Sequence, residues 1–75
     1  MLETIIEIIS KRVAIPNSAI DAKTNLLELD IDSLDVINIV MDVEYSFNVK
    51  FDDDEIVELR TPTDIVDIVM SKFAK

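Results

Sequence analysis

The chain has no cysteine, no histidine and no glycine among its 75 residues, and only seven basic residues against sixteen acidic ones. Without cysteine there is neither a disulfide framework nor a thiolate metal site. Without histidine the chain lacks the commonest general base, the commonest metal ligand and the usual switch near neutral pH. Self-contained hydrolytic chemistry is therefore not expected. No charged-then-apolar leader is expected, and the sequence has no apolar run long enough to span a bilayer. The expectation is a cytoplasmic protein with no stable membrane insertion. Lacking glycine, the chain must give its left-handed turns to other residue types, and Asn48 is the candidate to end one helix that way.

What is present is a strongly patterned acidity. Residues 1–27 hold three acids and three bases and sum to zero. Residues 28–58 hold eleven acids against Lys50 alone, or −10, and residues 59–75 hold two acids and three bases, or +1. The whole net charge of −9 thus arises in the middle of the chain. A field of one sign disfavours nucleic acid and favours partners with basic surfaces. The length suits one small domain, 1–75, with a modest core and a narrow stability margin.

Apolar spacing predicts an all-α fold. Leu2, Ile5, Ile6, Ile9 and Val13 recur with helical period, and Pro16 forces an end near Ile15. Residues 15–32 have no sustained period, yet Leu26, Leu27 and Leu29 are too apolar for a free linker. They predict a long loop packed over the core, with a short helical turn near 18–21. Asp32, with Asp35 three residues on, reads as the cap of a second helix running to Phe47. The acids at 52–55 suit the start of a short third helix, with Ile56 and Leu59 facing inward. Four consecutive acids lack the alternation and central glycine of a calcium loop, so no metal site is expected. Thr61, Pro62 and Asp64 mark the start of a last helix whose buried stripe is Ile65, Ile68, Val69 and Phe73. Strand signals are weak, with 48–51 the only candidate. The sum is a small four-helix bundle, three main helices and one short one, with a long loop between the first two.

Ser33 is the residue with chemical interest. It stands immediately after a capping aspartate, where a hydroxyl is exposed and a phosphate ester would meet the positive end of the helix dipole. By position alone it is an ordinary first-turn residue. The wider pattern changes that reading. Asp32-Ser33-Leu34-Asp35, the apolar run from Val36 to Val43, then Glu44 and Phe47, together with the acidic short helix and the threonine-capped last helix, resemble the acyl carrier protein family over nearly the whole chain.

The resemblance implies that Ser33 receives 4′-phosphopantetheine from coenzyme A, with Asp32, Leu34 and Asp35 recognised by the phosphopantetheinyl transferase. Asp35 matches an acid that, in the family, helps the transferase and its Mg²⁺ engage. Asp35, Asp42 and Glu44 are the implied docking acids for acyl-processing enzymes with basic surfaces. Ile37, Met41, Val43, Ile56 and Leu59 are candidates for an acyl-chain pocket between the second and third helices. The thiol belongs to the arm, so a monomeric, non-catalytic carrier needs neither cysteine nor histidine. Asn38 and Tyr45 occupy places that are often acidic in the family, and Asp30 stands where glycine is usual. An aminoacyl or peptidyl carrier, and an unmodified helical interaction module, are the other two readings.

Overall fold

The computed structural model describes residues 1–29 and 31–73. Its helices are α1 (Leu2–Val13), α2 (Ser33–Phe47), α3 (Asp53–Val57) and α4 (Pro62–Phe73), and no strand occurs among the described residues. The 48–51 segment is irregular, because its backbone is used to close α2 rather than to pair with another chain segment.

Both α1 and α2 end without glycine. Ala14 (φ 58°, ψ 36°) and Asn48 (φ 56°, ψ 49°) each turn left-handed. The cap N–H and the one after it fold back onto a single carbonyl: Ala14 and Ile15 onto Ser10, Asn48 and Val49 onto Glu44. Asparagine tolerates this geometry, whereas an alanine there costs on the order of 1–2 kcal/mol. At Ala14 the turn is held by a bond from Ser10 Oγ to the Ile15 carbonyl and by the half-buried Ile15 side chain.

The long connection is not structureless. It contains 3₁₀ turns at Asn17–Ala19 and Leu26–Leu29. The first replaces the helical turn expected at 18–21. Of the three leucines, Leu26 is buried, Leu29 is half-buried and Leu27 points to solvent. The loop is stitched to the start of α4. Leu26 N–H donates to the Arg60 carbonyl at 2.7 Å, and the Ala22 carbonyl accepts from Thr63 N–H at 3.2 Å and Thr63 Oγ1 at 2.7 Å.

Ile5 and Ile9 of α1, Ile39, Val40 and Val43 of α2, and Ile65 and Val69 of α4 form the centre of the core. Ile20, Leu26, Phe51 and Leu59 close it from the connections. Each such side chain contributes roughly 1.5–3 kcal/mol by leaving water. Phe73, expected in the buried stripe of α4, is instead half-exposed and meets Phe47 edge-on at 6.5 Å. It is the last residue of α4. The Thr61 cap forms as expected: Thr61 Oγ1 accepts from Asp64 N–H at 3.2 Å, and Asp64 Oδ2 accepts from Thr61 N–H at 3.1 Å.

Candidate functional site

The start of α2 is built by a reciprocal cap. Asp35 N–H donates to Asp32 Oδ1 at 3.0 Å, and Asp32 N–H donates to Asp35 Oδ2 at 3.3 Å. Asp32 is extended (φ −99°, ψ 179°), so Ser33 is the first residue with helical geometry. Ser33 is exposed, and its hydroxyl takes no hydrogen bond from or to another described residue. Its hydroxyl lies at the positive end of a fifteen-residue helix. Asp30, two residues before the cap, lies outside the described residues.

Ser33 stands on the rim of an open cavity of about 290 Å³ between α2, α3 and the loop. Val36 and Ile37 of α2 line one wall, Ile56, Val57 and Leu59 the opposite wall, and Leu27 and Ile31 the loop side. Polar groups enter its lining only through Asp32, Ser33 and Arg60. Of the five residues expected to line an apolar pocket here, Ile37, Ile56 and Leu59 do so, while Met41 and Val43 do not. Val43 is wholly buried in the bundle core, because its helical phase matches Ile39 and Val40. Met41 faces away from the core and borders a different, more polar depression of about 390 Å³ at the far end of α2, with Tyr45, Asn48 and Lys50.

The three expected docking acids all have work inside the protein. Asp35 belongs to the helix cap. Asp42 accepts from Arg12 of α1 through both carboxylate oxygens, with contacts of 2.8–3.1 Å. Glu44 Oε2 accepts from Phe51 N–H at 2.7 Å and holds the turn that follows α2.

What α2 offers to solvent instead is apolar. Leu34, Ile37, Met41 and Tyr45 are 62, 44, 57 and 91% exposed. At intervals of three, four and four residues they form one stripe on the face opposite Ile39 and Val43. The sequence carried this signal, because two interleaved apolar stripes in one helix cannot both face the same core.

A family described as "Phosphopantetheine attachment site" matches residues 3–69. The chain belongs to the acyl carrier protein family. An acyl carrier protein from Thermotoga maritima is 36% identical over 67 residues, covering 88% of this chain and 83% of the relative. One from Acidothermus cellulolyticus is 34% identical over 70 residues, covering 92% and 83%. The crystal structure of an acyl carrier protein from Thermotoga maritima superposes with a TM-score of 0.80 at 34% identity, covering 95% of this chain and 84% of that one. Phosphopantetheine is thus the cofactor of this carrier, and its four-helix architecture is that of an acyl carrier protein. The exposed Ser33 hydroxyl beside an apolar cavity suits a group that needs a serine ester at one end and room for cargo at the other. No helix of the described carrier is long and apolar enough to cross a membrane.

Proposed function

We propose that Ser33 is the attachment residue of this acyl carrier. The observation that carries the reading is its free hydroxyl at the start of α2, on the rim of the apolar cavity. Ser33 Oγ attacks the pantetheine-side phosphorus of coenzyme A. The P–O bond to the nucleotide phosphate breaks, adenosine 3′,5′-bisphosphate leaves, and the Ser33 proton passes to a base of the phosphopantetheinyl transferase. The chain contributes no histidine to that step, so base and metal come from the transferase, and Asp32, Leu34 and Asp35 present the serine to it. When bound, the arm supplies a terminal thiol that holds acyl groups as thioesters.

The cavity beside Ser33 favours hydrocarbon over aminoacyl or peptidyl cargo, since its walls satisfy few polar groups. The open cavity of about 290 Å³ has room for a hydrocarbon chain. Ile37, Ile56 and Leu59 are the walls such a chain would meet. Partner enzymes of fatty-acid, lipid or polyketide synthesis would dock on the stripe of Leu34, Ile37, Met41 and Tyr45, with basic groups around its acidic margins. The single unit 1–75 acts as a monomeric, non-catalytic cytoplasmic carrier with no nucleic-acid partner.

Intact mass after incubation with coenzyme A and a broad-specificity transferase tests the reading. The wild type should gain one phosphopantetheine and Ser33→Ala none. Modification of the mutant at Ser10, Ser18, Ser46 or Ser71 would refute the assignment.

A further inference from the structure

We infer that Arg60 is a binding residue for the phosphodiester of the arm, holding it against the mouth of the cavity. The inference rests on the proposed attachment at Ser33. Arg60 and Ser33 line the same cavity, Arg60 from the segment after α3 and Ser33 from the start of α2. Arg60 is the only cation in that lining. A phosphate esterified to Ser33 is fixed at the same mouth and carries one negative charge.

The hydrogen bonding of Arg60 prepares it for such a ligand. Its Nη1 donates to the carbonyls of Val57 and Leu59, both at 2.9 Å. These two bonds orient the guanidinium and occupy one of its nitrogens. Arginine has five donors in a fixed fork, so the Nε and Nη2 edge is left over, and it meets no acceptor among the described residues. That edge is the one suited to bidentate recognition of carboxylate or phosphate. Arg12 uses its own on Asp42, with Nε at 3.1 Å from Oδ2 and Nη2 at 3.0 Å from Oδ1. Lys11, Arg12 and Lys72 each have a carboxylate partner, on Glu7, Asp42 and Glu55. Arg60, Lys23 and Lys50 form no ion pair among the described residues, and of these three only Arg60 lines the cavity beside Ser33.

Electrostatics gives the contact a purpose. The phosphate would stand beside Asp32 and Asp35, in a segment of net charge −10 over residues 28–58. The dipole of α2 opposes that repulsion only in part. A cation from the opposite wall completes the compensation and draws the start of the arm toward the apolar interior.

The test compares apo and holo forms of the ¹⁵N-labelled protein, with conversion followed by intact mass. On attachment, the Nε–H resonance of Arg60 should move downfield and exchange several-fold more slowly with solvent. That of Arg12, already engaged by Asp42, should stay in place and serves as the internal reference. In holo Arg60→Gln the ³¹P resonance of the diester should depart from its wild-type position. Arg60→Gln also removes two carbonyl caps, so the wild-type comparison, which needs no variant, decides. Mass gain with Arg60 Nε–H as still as that of Arg12 would overturn the inference while leaving attachment intact. Absence of any mass gain would remove attachment at Ser33, and the inference with it.

Discussion

The guanidinium of Arg12 lies edge-on against the carboxylate of Asp42, its Nη2 2.8 Å from Oδ2, and clamps the last turn of α1 to the middle of α2. Both side chains are roughly two-fifths exposed, so solvent screens the pair, and its contribution is about 0.5 kcal/mol. Asp42→Asn and Arg12→Met should each lower the melting midpoint by about 2–4 °C. The double mutant should lose less than the sum of the singles. Additive losses in thermal melts would show that the pair does not interact in solution.

Glu44 has a structural duty that its place in an acidic helix conceals. Its Oε2 accepts the N–H of Phe51, whose ring is buried. Glu44→Lys removes that acceptor and leaves the amide without its partner, a loss of about 1–3 kcal/mol. The expected fall in midpoint is roughly 10 °C, larger than that for Asp42→Asn. A charge reversal at Glu44 is therefore no clean probe of docking. Equal midpoints for Glu44→Lys and wild type would contradict this.

Docking should depend more on the outward stripe of α2 than on Asp42. Met41→Ser and Tyr45→Ser remove exposed surface without disturbing the core. Each should lower kcat/KM with a partner enzyme by about five- to tenfold, as expected of a central apolar contact. Asp42→Asn should change it by less than about twofold, because that charge is already met by Arg12. Helicity by circular dichroism should be unchanged in all three. The reverse ranking at low salt would return docking to the acids.

Cargo length should register as stability. A buried methylene contributes up to ~0.8 kcal/mol, so an octanoyl-loaded carrier should melt several degrees above an acetyl-loaded one. Ile56→Phe narrows the cavity from the α3 wall and should reduce that difference. A midpoint independent of chain length would mean that the chain stays in solvent.

Cations should stabilise the unmodified protein. Residues 28–58 carry −10 net. Asp52, Asp53 and Asp54 stand exposed at the start of α3, whereas Glu55 is engaged by Lys72 at 2.9 Å and by Asp52 N–H at 2.8 Å. Screening this repulsion with salt or magnesium should raise the midpoint at low ionic strength, even as it weakens Arg12–Asp42. A flat or falling midpoint in both salts would show that the segment is not under net repulsion.

The sequence by itself determined the features that rest on local rules. Helix existence follows from apolar spacing, and the Asp32 and Thr61 caps follow from side chains that can reach only their own first turns. The left-handed end at Asn48 needed no tertiary help either. Ser33 was legible because its setting is a helix start, which is a local property. The tertiary structure alone decided which apolar residues face which space. Spacing puts Ile37, Met41 and Val43 in one amphipathic helix, but only the placement of α1 and α3 sends Val43 into the core, Ile37 to the cavity rim and Met41 to the outer face. It likewise decided which charges are free. Arg12 and Asp42 are thirty residues apart, and Glu44 reaches Phe51 only once the chain turns back after α2. Charge counts along a sequence record where acids occur, whereas ion pairing depends on distances of a few ångströms that only packing sets.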